Sequence, residues 1–234
     1  VIALVAQFTE VTKESGIDFI HDPAASGAYL LPEITGSGSA FIDIDNDGKL
    51  DIYLMQAGVG GNRLFLQRDE GVFVDVTKKS GLGDTGYGMG VAVGDVDNDG
   101  FVDIYVTNYG PDKLYKNGGD VNFTNVSETY GIKGDAWSAS ATFCDYDSDG
   151  YLDLYVTQYV NYDEEKSCSH SDGSKDYCSP QVFPGTSDVL YRNEGGLRFI
   201  DVSTQAGIRE ARSPGLGVLC ADLNSDGLLD FYVA

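Results

Sequence analysis

Positive charge is scarce in this 234-residue chain: 15 Lys and Arg stand against 37 Asp and Glu, for a formal net charge of -22. A polyanion is bound by displacing its counterions with Lys and Arg, so this composition excludes a nucleic-acid partner. No apolar run approaches the roughly 18 residues that a membrane-crossing helix needs, so no membrane span is expected. Histidine is nearly absent, His21 and His170 lying on separate segments, and neither a Gly-x-Ser-x-Gly elbow nor a phosphate-cradling loop occurs. A solvated loop role outweighs zinc or acid-base work for either histidine, and the chain is expected to be no enzyme. The opening Val1-Ile2-Ala3-Leu4-Val5-Ala6 is apolar but too short for a complete signal peptide; it reads either as the start of a mature exported chain or as an edge strand.

What the chain has in excess is aspartate at fixed spacing. Asp43-Ile44-Asp45-Asn46-Asp47-Gly48-Lys49-Leu50-Asp51 recurs at Asp95 to Asp103, Asp145 to Asp153 and Asp222 to Asp230. Oxygen side chains stand at positions 1, 3, 5 and 9, with glycine at position 6 where the backbone must reverse. A short loop offers hard oxygen ligands to Ca²⁺ in this way, and about four Ca²⁺ sites are expected. The proposed ligand sets are Asp43, Asp45, Asp47 and Asp51; Asp95, Asp97, Asp99 and Asp103; Asp145, Asp147, Asp149 and Asp153; and Asp222, Asn224, Asp226 and Asp230. The position-7 residues Lys49, Phe101, Tyr151 and Leu228 complete them. One such turn could equally be a solvated Asx turn, but four copies in register argue against that. An EF-hand is the rival, since it shares the Asp-x-Asp-x-Asp-Gly opening. It ends, however, in Glu at position 12 between helices, whereas here position 9 is Asp every time. Fifteen of the acids occupy these positions, and four Ca²⁺ would offset eight negative charges.

The runs after each loop, such as Asp51-Ile52-Tyr53-Leu54 and Asp103-Ile104-Tyr105-Val106, are β-branched and aromatic, and Ala40-Phe41-Ile42 before the first loop also reads as strand. Each loop is therefore expected at the tip of a β-hairpin. A third strand carries Leu64-Phe65, Leu114-Tyr115 or Leu190-Tyr191. A fourth carries Phe8-Thr9-Glu10-Val11, Phe73-Val74-Asp75-Val76, Phe123-Thr124-Asn125-Val126 or Phe199-Ile200-Asp201-Val202. Four short strands repeating at about 50 residues predict an all-β fold, a β-propeller of four-stranded blades. The metal-loop units start near 36, 88, 138 and 215, giving three full blades plus two partial ones in a single repeat domain, 1–234. Small residues such as Gly88-Met89-Gly90-Val91-Ala92 mark the first strand of each unit as innermost, where backbones crowd. Two insertions break the period, Asp18 to Glu33 and 160–187.

The Asp-x-Asp-x-Asp-Gly-x-x-Asp hairpins and the Phe-x-x-Val-[Ser/Thr] links resemble FG-GAP or VCBS repeats, the calcium-loop blades of integrin alpha-chain propellers. The pattern is also similar to bacterial relatives of cartilage acidic protein, whose repeats precede an ASPIC/UnbV domain. The resemblance runs along essentially the whole chain and implies an exported, calcium-bearing, seven-bladed propeller used for adhesion or recognition. No ASPIC/UnbV region is present, so the chain reads as part of a longer protein.

Cys168 and Cys178 flank a short polar loop and are expected to form a disulfide, which would stabilise by roughly 2 to 3 kcal/mol. Cys144 directly precedes Asp145 while Cys220 lies two before Asp222, so the pleat is expected to point them to opposite faces as buried core residues. The function expected is a calcium-stabilised extracellular binding, adhesion or structural module with a protein or glycan ligand, since extracellular calcium fills weak sites that resting cytosol leaves empty. Two alternatives stand beside it: a subunit of a self-assembling filament, with Val1 to Ala6 adding to a neighbour's sheet, and the non-catalytic part of a carbohydrate-active lyase or dehydratase.

Overall fold

A computed structural model of the chain describes residues 8–234. The chain is all-β, built as successive antiparallel meanders. The first sheet contains β1 (Ser39–Ile42), β2 (Asp51–Leu54), β3 (Arg63–Asp69) and β4 (Val72–Asp75), hydrogen-bonded in that order. The second repeats it with β5 (Tyr87–Gly94), β6 (Asp103–Tyr109), β7 (Lys113–Asn117) and β8 (Phe123–Asn125). In the third, β9 (Ser138–Cys144) and β10 (Asp153–Gln158) are followed by a small separate hairpin, β11 (Cys168–Ser169) and β12 (Lys175–Asp176). Its outer strands β13 (Val189–Asn193) and β14 (Phe199–Asp201) come after that. A two-stranded sheet, β15 (Val218–Ala221) with β16 (Asp230–Val233), ends the described chain.

The strand parity expected from the sequence sets how these sheets stack. Ile104 and Val106 on β6 pack with Ile42, Tyr53 and Leu64 of the first sheet. Tyr105, between them, turns the other way and packs with Leu154, Val156 and Tyr191 of the third. On β10, Tyr155 likewise faces forward, onto Val218 and Phe231 of the last sheet. β6 and β10 are covered on both faces and buried almost throughout, which is why Ile104-Tyr105-Val106 and Leu154-Tyr155-Val156 are apolar at consecutive positions instead of alternating. Face-to-face stacking of four-stranded meanders is the arrangement of propeller-like blades.

The first strands of neighbouring sheets run side by side, and their small residues let them do so. A Cβ on Gly90 would sit 2.7 Å from the Ala139 carbonyl oxygen and 3.0 Å from Thr107 Oγ1, closer than carbon and oxygen tolerate. The Thr107 hydroxyl accepts from Gly90 N at 2.7 Å and fills the remaining gap.

Two sequence expectations are corrected here. Cys144 and Cys220 form a disulfide, with Cα atoms 6.3 Å apart. Their opposite parity is what a bridge between adjacent sheets requires. Cys220 occupies the register of Phe143, whose ring points back toward Tyr105 of the preceding sheet, whereas Cys144 points forward. The Phe8 to Thr12 segment is not a strand; Phe8 is 98% exposed, because no sheet edge lies beside it among the described residues. The Val1 to Ala6 segment falls outside the described residues. The expected Cys168–Cys178 disulfide is present and closes the β11–β12 hairpin.

The 160–187 insertion does not project freely. Tyr162 and Phe183 join Trp137, Tyr109 and Tyr159 in an aromatic layer, with Leu31 from the first insertion buried against it. Such edge-to-face contacts contribute about 0.5 to 1.5 kcal/mol each beyond area burial, so the insertion caps the strand ends on the side away from the aspartate loops.

Candidate metal centres

Each aspartate loop joins the first two strands of its sheet, and the same hydrogen bonds shape all four. The carboxylate at position 1 accepts from the N–H groups of positions 5 and 6: Asp43 from Asp47 and Gly48, Asp95 from Asp99 and Gly100, Asp145 from Asp149 and Gly150, Asp222 from Asp226 and Gly227. Position 6 takes the left-handed conformation in every loop, with φ of 84°, 90°, 92° and 87°, which only glycine adopts without strain. Position 4 is left-handed too, at Asn46, Asn98, Ser148 and Ser225.

Position 9 is where the sequence could not specify the environment. Asp51, Asp103 and Asp153 are completely buried. One oxygen of each accepts from the N–H of position 2 (Ile44, Val96, Tyr146) and the other from the third strand (Gln67, Asn117, Asn193). Burial pushes all three carboxyls up to about 6, against hydrogen bonds that favour the charged form.

Carboxylate oxygens of Asp43, Asp45 and Asp51 lie within 4.8 Å of one another, as do those of Asp95, Asp97 and Asp99, and of Asp145, Asp147 and Asp153. The remaining predicted ligands of these loops, Asp47, Asp103 and Asp149, stand outside the trios. Asp47 instead pairs with Lys49 Nζ at 2.5 Å, and the hydrogen bond from Lys49 holds its carboxyl below the usual range. The buried oxygens Asp45 Oδ1 and Asp97 Oδ1 have no hydrogen-bond partner among the described residues. In the second loop the Lys116 ammonium contacts Asp97 and lies 3.2 Å from Asp99, so a cation already stands among those carboxylates. The donor set is all oxygen, which suits a hard divalent ion such as Ca²⁺. Position-7 side chains share no chemistry across Lys49, Phe101, Tyr151 and Leu228, so only their main-chain oxygens could serve alike.

The fourth loop keeps the backbone shape and has a neutral amide, Asn224, in place of the position-3 carboxylate. Asn224 donates to Asp226 at 3.0 Å, and Asp230 still accepts from Leu223 N. No third strand covers Asp230 among the described residues, and it stays partly exposed.

Contacts between loops were not read from the sequence. Asn46 Nδ2 donates to the Gly100 carbonyl at 2.9 Å, and Asn98 Nδ2 to the Gly150 carbonyl at 2.9 Å, so each of the first two loops holds the next. Behind them, buried Asn117 donates to the carbonyls of Ile44 and Val102, and buried Asn193 to those of Val96 and Leu152, tying each third strand to the preceding loop. The recurring Leu-Tyr-[Lys/Arg]-Asn of Leu114 to Asn117 and Leu190 to Asn193 was the available signal. His21 contacts Ser37 at 3.1 Å and His170 lies near Asp176 at 3.4 Å, both away from the loops.

No curated protein matches the chain. Among solved structures, an Agrocybe aegerita lectin described as recognising non-reducing terminal N-acetylglucosamine is similar at a TM-score of 0.36 and 16% identity, over 83% of this chain. The chain spans 60% of that lectin's length, and the likeness is too loose to carry fold or ligand across. The FG-GAP-like repeat matches at residues 43–106 and 95–156, each span running from the first aspartate of one loop into the second strand of the next sheet. Residues 43–156 thus carry two FG-GAP-like repeats, which cover the first two aspartate loops and reach through the third.

Proposed function

We propose that this chain forms blades of an exported, calcium-rigidified β-propeller that works as a non-catalytic binding module. The observation that carries the reading is the convergence of carboxylate oxygens in each of the first three loops, beside a position-9 carboxylate that is buried each time. The trios Asp43, Asp45 and Asp51, Asp95, Asp97 and Asp99, and Asp145, Asp147 and Asp153 would hold Ca²⁺, and the fourth loop would hold it more weakly. Bound Ca²⁺ supplies the positive charge that lets these carboxylates ionise together at close range. Two disulfides support an oxidising, extracellular setting, and among the described residues no helix is long and apolar enough to cross a membrane. Seven blades, kinship with ASPIC/UnbV-associated proteins and a protein or glycan ligand are finer parts of the same proposal. The test is thermal unfolding in EDTA and in millimolar Ca²⁺. Each site filled at 100 times its dissociation constant adds about 2.7 kcal/mol, so the melting temperature should rise clearly; an unchanged one would refute the reading.

A further inference from the structure

Opposite the aspartate loops, at the far end of the β10 strand, the third sheet carries a cleft of about 840 Å³, within the range of small-ligand sites. The link 133–136, the end of the insertion and the 209–212 segment wall it. Four of the chain's 15 basic residues, Lys133, Arg198, Arg209 and Arg212, line this cleft against only two acids, Asp135 and Asp201. In a chain of net charge -22 that is a local reversal of sign.

Two of the four cations are already committed. Arg209 pairs with Asp201 at 2.5 Å, and Arg198 with Glu194 at 2.6 Å. Lys133 and Arg212 have no ion-pair partner among the described residues, so two positive groups remain to meet a ligand. Their backbones are braced. Tyr191 donates its hydroxyl to the Lys133 carbonyl at 2.6 Å and accepts from Lys133 N at 3.3 Å. Thr186 bridges to Ser213 beside Arg212, and Ser187 Oγ donates to the Arg209 carbonyl. Preorganised walls reduce the ordering cost of binding.

The floor adds a second feature. Gln158, 7% exposed, donates its amide to Ser138, yet among the described residues its Oε1 has no donor, and Thr186 Oγ1 is likewise buried without a partner. Unpartnered buried oxygens are costly, and a small side-chain rotation would offer either one to a ligand hydroxyl. A cationic mouth above hydroxyl-seeking oxygens suits a ligand that carries one carboxylate and several hydroxyls.

We infer that this cleft binds a sugar acid, with Lys133 and Arg212 holding the carboxylate and Gln158 and Thr186 meeting hydroxyls. This rests on the binding-module reading and names its ligand class. The experiment is calorimetric titration of the calcium-loaded protein with sodium glucuronate, with glucose and inorganic sulfate as controls. Glucuronate should bind, and glucose and sulfate each at least tenfold more weakly. Arg212→Gln and Lys133→Gln, both exposed changes that leave the fold intact, should each weaken glucuronate by about tenfold. Undetectable glucuronate binding, equal binding of glucose or of sulfate, or indifference to both substitutions would overturn the assignment. Calcium-dependent melting of the same sample separates the two readings: a calcium shift without glucuronate binding removes the cleft alone, and glucuronate binding without a calcium shift removes the calcium reading alone.

Discussion

Replacing Gly90 with alanine tests the side-by-side packing of the first strands. The new methyl would meet the Ala139 carbonyl oxygen at 2.7 Å, Thr107 Oγ1 at 3.0 Å and the Ser140 Cα at 3.3 Å. Two of these are backbone atoms in a sheet covered on both sides, so relief requires β5 and β9 to separate by several tenths of an ångström. Overpacking of this kind costs about 1 to 3 kcal/mol. For a chain of this size each kcal/mol moves the melting temperature by about 2 to 4 °C, which predicts a fall of roughly 2 to 12 °C. Gly36→Ala is the internal control: its Cβ would meet nothing within 4 Å. That change should be neutral or stabilise by up to about 1 kcal/mol through the unfolded chain. Both are read by calorimetry or urea unfolding in saturating calcium. If Gly90→Ala proved as harmless as Gly36→Ala, the first strands would not approach as described, and the blade-like stacking would be wrong.

Asp112 accepts from Tyr105, Ser138 and Asn108 N, and burial pushes its carboxyl up to about 7. Folded, it keeps its proton to about pH 7; unfolded, it loses it near pH 4. Its stabilisation is therefore complete below about pH 4 and is lost as the pH rises to 7. Asp112→Asn should flatten that decline in urea titrations of calcium-loaded protein, as Asn62 already fills the equivalent place beside Tyr53; an unchanged slope would refute the assignment. Asn117→Ala strips two buried carbonyls of their donor and should cost about 2 kcal/mol or more, whereas a loss below 0.5 kcal/mol, as for a typical surface change, would mean the tie between sheets carries little. Replacing Cys144 and Cys220 together by serine opens a loop of 76 residues and should cost about 4 kcal/mol, more than the roughly 2 to 3 kcal/mol for Cys168 and Cys178 with a separation of 10. The reverse ranking in denaturant would contradict the chain-entropy account.

What could be read from the sequence was local. An aspartate at every second residue and a glycine at the turn fix the loop within nine residues, and the alternation of Ile104, Tyr105 and Val106 fixes which face each side chain takes. What could not be read depends on neighbouring sheets. The Cys144 and Cys220 parity was right for each strand, and only the stacking order makes opposite faces meet. Phe8 to Thr12 has strand chemistry but no edge to pair with among the described residues, and a strand exists only through its partner. Asp51, Asp103 and Asp153 look like their loop mates in sequence, yet burial under the third strand sets them apart. The cleft proposed for a sugar acid gathers residues from five separate segments, so no window of sequence contains it.

The most direct test is a calcium titration of the metal-stripped chain by calorimetry, with Asp45→Asn alongside. The proposed arrangement predicts three well-resolved equivalents per chain, a weaker fourth, and the loss of one equivalent in the variant. A chain that takes up no calcium at millimolar concentration, or one whose stoichiometry is untouched by Asp45→Asn, would contradict it.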